Sequence, residues 1–205
     1  MTSEEKKQKL QDLAKKIQRC RQCPLYKTAK QAVPGEGSAT AKIMFIGEAP
    51  GYYEDQQGRP FVGNAGQLLD KAMRGIGLSR QEVFIANILK HRPPDNRDPQ
   101  ETEIAACRDW LDEQVALIDP KIVVTLGRFS LNKFLPGVTI SRVHGQVQTV
   151  DGRMVMPMFH PAAALRADAV MRQFLDDFAK LPKFLATADG VEVTVLPPPE
   201  QQRLF

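Results

Sequence analysis

Residues 42–51, KIMFIGEAPG, decide the fold. The first half of this stretch is a short apolar run, which is typical of a strand buried on both faces in a parallel sheet. The glycines and the proline of the second half end the strand and predict a turn. The stretch therefore predicts a core strand that delivers Glu48 to one edge of a sheet.

Three further strands are predicted, and segments with helical periodicity separate them. The strands are expected at 83–88, 122–126 and 154–159, the last in a hairpin with 143–150 around a turn at Asp151-Gly152. Helices are expected at 3–19, 65–75, 105–118, 128–134 and 169–181. Strands that alternate with helices form a parallel sheet covered on both faces. We therefore expect a three-layer α/β/α domain with a central, mainly parallel four-stranded sheet.

The composition is that of one globular domain. The chain has 205 residues, of which 42% are hydrophobic and 25% charged. No apolar run reaches about 18 residues, so no membrane span is predicted, and residues 1–17 lack the apolar core of a signal peptide. Three cysteines, an odd number, argue against a disulfide framework and for a reducing, cytoplasmic location. The net charge of +4 is compatible with nucleic-acid binding but does not require it.

The chain divides into a domain and a tail. We expect residues 1–186 to form the domain. Residues 187–205 contain Pro197-Pro198-Pro199 and are expected to be a flexible C-terminal tail.

Four strand ends carry residues that suit a functional site. Glu48, Asn87, Gly127 and His160 each follow a predicted strand. Sites in parallel sheets lie beyond the carboxyl ends of the strands. The sequence therefore predicts that these residues converge at one edge of the sheet. No motif supports His144, which is expected to be a surface or loop residue.

All three cysteines fall into a four-ligand pattern with one histidine. The pattern consists of Cys20-x2-Cys23 near the N-terminus and His91-x15-Cys107 near the middle of the chain. Thiolates are soft ligands that select iron–sulfur clusters or zinc, and an imidazole can complete either site. A metal there would brace the proline-rich, arginine-bearing loop at 92–99.

Four motifs in this order resemble the family 4 uracil-DNA glycosylases. They are GEAPG at 47–51, GRPFVGNAG at 58–66, KHRPPDNRDP at 90–99 and FHPAA at 159–163, and the resemblance extends from about Lys16 to Leu181. The resemblance implies a single α/β/α domain with a four-iron, four-sulfur (4Fe-4S) cluster. It also implies that the protein removes uracil from DNA and leaves an abasic site.

The resemblance implies roles for the residues that would bind the base. The uracil would be flipped out of the helix or taken from single-stranded DNA. Phe61 would stack on its ring, and the amide of Asn87 would accept from N3–H and donate to O4. Backbone N–H groups of the turn that begins at Gly47 are further candidates for contacts to the base.

The resemblance also implies how the glycosidic bond is broken. His160 would donate to O2 of the departing uracil, on which negative charge develops. The oxocarbenium-like sugar needs a carboxylate or an activated water, and both Glu48 and Glu54 remain candidates for that role. No lysine in the motifs is placed to form a Schiff base, so we expect no strand cleavage.

Three arginines are candidates for phosphate contacts around the site. They are Arg92, Arg97 and Arg166. Binding to DNA would then weaken as the salt concentration rises.

Most of these residues also have a plain structural interpretation. Phe61 could be a core aromatic, Asn87 a turn residue, His160 a structural histidine and Glu48 a helix cap, while the arginines could simply be solvated.

His91 departs from the family pattern, because most members have cysteine at this position. A related branch that crosslinks itself to uracil also has histidine there, but its reactive histidine further on has no counterpart between Arg92 and Glu103. Covalent trapping is therefore not predicted. Three alternatives remain for the site: His91 ligates the cluster, the cluster is incomplete, or three cysteines and one histidine hold zinc. We favour the first.

The C-terminal residues Gln201–Phe205, QQRLF, resemble the short peptide by which bacterial DNA-processing enzymes dock on the sliding clamp. The sequence thus predicts a monomeric, monofunctional uracil-DNA glycosylase with a clamp-binding tail. The alternative is a metal-braced uracil-DNA binding or sensing module with little or no turnover. A zinc-stabilised scaffold is less favoured, because polar residues converge at the strand ends.

Overall fold

A computed structural model describes residues 1–188 of the protein. The helices of this part are α1 (Ser3–Gln18), α2 (Tyr52–Gln57), α3 (Asn64–Gly75), α4 (Glu101–Ile118), α5 (Arg128–Phe134), α6 (Ile140–Val143), α7 (Pro161–Ala164) and α8 (Asp168–Ala188). The strands are β1 (Glu36–Gly37), β2 (Ile43–Gly47), β3 (Phe84–Asn87), β4 (Ile122–Leu126), β5 (Gln148–Val150) and β6 (Arg153–Met158). Short 3-10 turns lie at Pro24–Lys27 and Pro94–Asn96.

The six strands form one mixed sheet in the order β1-β3-β2-β4-β6-β5. The four central strands are mutually parallel, with Phe45 of β2 opposite Ile85 on one side and Val124 on the other. The edge strands β1 and β5 pair antiparallel to their neighbours. The predicted four-stranded parallel centre is therefore confirmed, and the full sheet is larger than predicted.

Alternating side chains of the central strands bury both faces of the sheet. Ile43 and Phe45 of β2 point into a core built with α3, α7 and α8. Met44 and Ile46 point into a second core, to which α1, α4 and α5 contribute. Because both faces of the strand are covered, its apolar run is continuous rather than alternating. The predicted three-layer α/β/α architecture is confirmed.

Several elements differ from the sequence prediction. Strand β1 was missed, because it is only two residues long and one of them is glycine. Helix α2 was missed because its sequence, YYEDQQ, has no apolar periodicity. The expected hairpin arm at 143–150 is shorter, since Val143 belongs to α6 and the strand begins at Gln148.

The last helix is longer than predicted. Helix α8 continues through Pro182 to Ala188, the last described residue. Of the proposed tail at 187–205, residues 187 and 188 belong to α8, and the rest, with the clamp-binding peptide at 201–205, lies outside the described residues. Across residues 1–188, none of the helices combines the length and the apolar character needed to cross a bilayer.

Candidate active site at the carboxyl edge of the sheet

A cavity of about 560 Å³ opens at the carboxyl edge of the sheet. Each of the four parallel strands contributes to it, as was predicted from the strand ends. The lining includes Glu48, Asn87, Gly127, Phe159 and His160 from the strand ends, together with Gly51, Glu54 and Phe61 from the connection after β2. The volume is that of a small-molecule site and suits a single nucleobase with part of its sugar.

Asn87 ends β3 at the inner end of this cavity. Its side chain is 2% exposed, and its Oδ1 atom is buried without a hydrogen-bond partner. Buried polar atoms are normally paired, because an unpaired one costs about 1–3 kcal/mol. An acceptor kept unpaired at the wall of a cavity is therefore suited to a donor group of a ligand.

Gly47 allows two groups of the cavity to approach each other. A Cβ atom at this position would lie 2.4 Å from Oδ1 of Asn87 and 2.5 Å from Cζ of Phe61. Both distances are far below ordinary contact, so no larger residue fits here without displacing the amide or the ring. Gly47 is therefore needed because only a residue without a side chain leaves room for Asn87 and Phe61.

Phe61 is 5% exposed and lines the cavity in an unusual backbone conformation. Its φ is 51°, in the left-handed region that a bulky residue rarely adopts. Arg80 holds this loop: its Nη1 donates to the carbonyl of Phe61 at 2.9 Å, and its Nη2 donates to the carbonyl of Pro60. Arg80 is in turn ion-paired with Glu36 at 2.7 Å and Asp70 at 2.8 Å.

His160 stands beside Phe61 with a defined tautomer. The ring centroids of the two residues are 5.7 Å apart. Nδ1 of His160 accepts from the backbone N–H of Ala162 at 3.1 Å, so the proton of the neutral imidazole lies on Nε2. Burial lowers the pKa of His160 from 6.5 to about 4, with Glu54 raising it and Arg166 lowering it further. At neutral pH this residue is therefore an uncharged donor.

Glu54 accepts hydrogen bonds from the backbone of two different segments. Its Oε1 accepts from the N–H groups of Val62 at 2.8 Å and Gly63 at 2.9 Å, and its Oε2 accepts from that of Gly51 at 3.1 Å. Three charge-assisted bonds hold the GEAPG turn against the loop that carries Phe61. The carboxylate of Glu54 is thus engaged in organising the loops.

Glu48 has a different environment. Among the described residues, none donates a hydrogen bond to its carboxylate, and it lines the cavity. Burial raises the pKa of Glu48, and the charge of Asp98 raises it further, while Arg128 lowers it. A half-buried carboxylate without a partner is free to interact with a ligand or a water molecule.

The predicted phosphate-binding arginines occupy different positions. Arg166 lines the cavity, and Arg92 lies nearby, with its Nε donating to Oδ1 of Asn96 at 2.7 Å. Arg97 instead forms a bidentate pair with buried Glu103, at 2.9 and 2.6 Å, which caps the start of α4. Arg128 was not predicted, although it lines the cavity and pairs with Asp98.

The three cysteines are buried and free, and Cys20 and Cys23 are near enough to Cys107 to act on it electrostatically. The thiols of Cys23 and Cys107 interact, and both residues belong to a small apolar cluster with Leu25 and Leu89. Nε1 of Trp110 donates to Sγ of Cys20 at 3.2 Å. Burial raises the pKa of Cys107 to about 11 and also raises the pKa of Cys23.

His91 lies close to Cys20. It lines a hollow of about 470 Å³ together with Cys20, and its buried Nδ1 has no hydrogen-bond partner. Three soft donors and an unpaired imidazole nitrogen fit an iron–sulfur or zinc ligand set. Within residues 1–188 these side chains nevertheless do not form a group arranged to hold a metal ion.

Lys90 connects the cysteines with the cavity and was not singled out by its motif. It is fully buried, and its Nζ donates to the carbonyl of Asn87 at 2.8 Å and to Oε1 of Gln114 at 2.7 Å. Burial lowers the pKa of Lys90 from 10.5 to about 7. The signal that could have identified Lys90 is its position directly after the apolar residues Ile88 and Leu89 at the end of a buried strand.

His144 lies in the turn that follows α6, which agrees with the expected loop position, but its side chain is only 19% exposed. Its Nδ1 lies 2.7 Å from Oδ2 of buried Asp177, whose other oxygen accepts from Lys180 at 2.7 Å. Its ring also packs on Phe159, with centroids 4.7 Å apart. His144 therefore supports the cavity wall from behind.

Comparison with known proteins agrees with this geometry. Residues 34–181 match the sequence model of the uracil DNA glycosylase superfamily. The chain is 44% identical over 185 residues to a type-4 uracil-DNA glycosylase of Saccharolobus solfataricus, covering 85% of this chain and 86% of the relative. Proteins of the same description from Archaeoglobus fulgidus and Thermotoga maritima are 45% and 39% identical, each over 84% of this chain and 91% and 93% of the relative.

The chain therefore belongs to the uracil-DNA glycosylase superfamily, and within it to the type-4 family of these relatives.

Proposed function

We propose that the protein is a monofunctional uracil-DNA glycosylase that hydrolyses the N-glycosidic bond of deoxyuridine in DNA and so initiates base excision repair. The observation that carries the proposal is the buried, unpaired Oδ1 of Asn87 in the wall of a base-sized cavity. The N3–H of uracil is the donor that would satisfy it. The three relatives compared above, which are type-4 uracil-DNA glycosylases, support the same activity.

Base recognition rests on two side chains. A flipped uracil would stack on Phe61, while the amide of Asn87 accepts from N3–H and donates to O4. Cytosine presents the opposite donor and acceptor pattern at these two positions, so the same amide orientation disfavours it. Gly47 leaves the space in which the base edge and the amide meet.

Bond cleavage rests on His160 and Glu48. The Nε2–H of neutral His160 donates to O2 of uracil, where negative charge develops as the bond breaks. The carboxylate of Glu48 stabilises the positive sugar or holds the attacking water. Glu54 takes no part in bond cleavage itself, because its carboxylate holds the two loops that shape the cavity. No lysine lines the cavity among the described residues, which supports hydrolysis without strand cleavage.

The test is multiple-turnover excision on a labelled oligonucleotide with one uracil, followed by alkali cleavage at the abasic site. A matched thymine oligonucleotide controls for specificity. Asn87→Ala should abolish excision, whereas Asn132→Ala, an asparagine on α5 outside the cavity, should not. Tight uracil-dependent binding without turnover in the wild type would contradict the enzyme and support the binding or sensing module.

We propose that Cys20, Cys23, His91 and Cys107 hold a 4Fe-4S cluster, with His91 as the fourth ligand. The proximity of the cysteines, the interacting thiols and the unpaired Nδ1 of His91 support this assignment. The cluster would have a structural role, since it would tie the segment after α1 to the loop that follows β3.

Iron and sulfide analysis on protein purified without air tests the cluster. A full cluster would give about four irons per chain with a visible chromophore. His91→Cys should keep the iron and change the spectrum, whereas Cys107→Ala should lose it. Stoichiometric zinc without a chromophore would support the zinc site instead, and substoichiometric iron would support an incomplete cluster.

We propose three further properties of the protein in the cell. Its DNA contacts include Arg92 and Arg166 at the cavity, and Arg97 remains a candidate only if its pair with Glu103 opens. The free, buried cysteines suit the reducing cytoplasm, and we expect the protein to be a monomer. Gln201–Phe205 would dock on the sliding clamp; deleting these residues should abolish clamp association and leave excision on short oligonucleotides unchanged. Equal clamp binding after the deletion would reject that partner.

A further inference from the structure

Two large aromatic residues are exposed directly beside the cavity. Tyr52 and Tyr53 are 53% and 57% exposed, and they are the first two residues of α2. They follow Gly51, which lines the cavity. None of the steps described above for uracil recognition or bond cleavage uses either ring.

The two rings and one arginine form a continuous surface, which we call the tyrosine surface (Tyr52, Tyr53 and Arg92). The tyrosine rings contact each other edge to face, with centroids 5.5 Å apart. The guanidinium carbon of Arg92 lies 5.3 Å from the centroid of Tyr52. This surface therefore combines aromatic faces with a positive charge.

The tyrosine surface is held in place from two sides of the cavity. Nε of Arg92 donates to Oδ1 of Asn96 at 2.7 Å, and Asn96 lines the cavity. Tyr53 packs closely on Gly63, since a Cβ atom at that glycine would lie 3.2 Å from Cδ2 of the ring. Gly63 in turn is bonded to Glu54. The surface is thus anchored to the same loops that shape the base-binding site.

The chemistry of this surface matches a nucleotide. Bases of any sequence stack on aromatic side chains, and arginine contributes both a cation–π contact and a phosphate contact. A strand whose uracil occupies the cavity must leave it in both directions, so its neighbouring nucleotides pass over the rim. The tyrosine surface lies on that rim.

We propose that the tyrosine surface binds the nucleotide next to the flipped uridine, with its base stacked on a tyrosine ring and its phosphate beside Arg92. This inference rests on the proposed function. It implies a preference for single-stranded DNA, because in a duplex the neighbouring base is already stacked on its own strand and gains less from the protein.

Steady-state kinetics test the preference. On a short single-stranded substrate, Tyr52→Ala together with Tyr53→Ala should raise KM by about fivefold or more, from the loss of one base-stacking contact. On the matched duplex the increase should be clearly smaller, and kcat should be retained on both. Tyr→Phe at both positions should keep the wild-type KM, because phenylalanine stacks equally well. Leu175→Ala, at a 44% exposed residue of α8, is the matched control for loss of an exposed apolar side chain.

A fluorescence measurement tests the contact itself. A single-stranded oligonucleotide carries 2′-fluoro-deoxyuridine, whose glycosidic bond resists cleavage, with 2-aminopurine on its 5′ or its 3′ side. Wild-type protein should quench the fluorescence at one of the two positions by stacking, and the double alanine variant should not. Unchanged KM and equal quenching in that variant would overturn the inference while wild-type excision stands. Absence of uracil excision by the wild type would instead reject the proposed function.

Discussion

The two glutamates of the cavity should respond in opposite ways to the same substitution. Glutamine has nearly the shape of glutamate but no charge, so Glu48→Gln and Glu54→Gln remove the charge and leave the volume unchanged. The partners of the two carboxylates differ, and the expected consequences follow from those partners.

Glu54→Gln should reduce stability. The glutamine oxygen can keep the bonds from Val62 and Gly63, but its NH₂ group faces the N–H of Gly51 and loses the third bond. A hydrogen bond to a charged group contributes about 1.5–3 kcal/mol. For this half-buried carboxylate we expect a loss of about 2 kcal/mol, at the lower end of that range. The corresponding decrease in Tm is about 4–8 °C for a domain of this size.

Glu48→Gln should leave stability unchanged or raise it. None of the described residues donates to the Glu48 carboxylate, so no hydrogen bond is lost. Burial raises the pKa of Glu48, which means that the charged form is disfavoured there, and the neutral amide avoids this cost. A carboxylate that acts on the reacting sugar or water typically contributes about 10²–10⁴-fold to the rate. We therefore expect a loss of kcat in this range.

Thermal unfolding and single-turnover excision on the same protein preparations separate the two roles. The expected pattern is a stable, slow Glu48→Gln variant and a less stable Glu54→Gln variant with a smaller loss of rate. A Glu54→Gln variant with wild-type Tm and the larger loss of rate would refute the assignment and make Glu54 the reacting carboxylate.

Three further changes test the cavity. Gly47→Ala should abolish excision, because the methyl group would lie 2.5 Å from the Phe61 ring, whereas Gly75→Ala, with open space around it, should be silent in the same assay. His160 should not titrate between pH 5 and 8, because its pKa is lowered from 6.5 to about 4. The unfolded chain then binds the proton first, so stability falls as pH decreases from 6.5 towards 4, and His160→Gln should lose this part of the pH dependence in chemical denaturation. Arg80→Gln should raise KM for uracil-DNA, because it releases the strained loop that carries Phe61. An unchanged KM would show that this loop keeps its conformation without Arg80.

The order of elements was predictable because it depends on local patterns. The apolar runs of β2, β3, β4 and β6 are short and continuous, and periodic helices separate most of them. Strand β1 and helix α2 were not predictable in this way, because neither has an apolar pattern of its own. Strand β1 exists because it pairs with β3, and α2 is held because Asp55 and Glu54 accept backbone hydrogen bonds from Lys30 and Val62 in other segments.

The sequence predicted which residues belong to the candidate site better than it predicted which residues they bond to. The strand ends identified Glu48, Asn87 and His160, and the structure brings all three to one cavity. The motif alone could not distinguish Arg97, which is engaged by Glu103, from Arg128, which lines the cavity. The roles of these residues in catalysis remain predictions.

Local sequence was enough to predict which residue types stand at the strand ends, that three cysteines and a histidine are available as ligands, and that the sheet is parallel at its centre. These properties follow from composition and from periodicity over a few residues. Which glutamate is free and which polar atoms stay unpaired became visible only in the folded chain. So did the bond by which Arg80 holds Phe61 from 19 residues away. A hydrogen bond between distant segments depends on how the whole chain packs, and no local pattern records it.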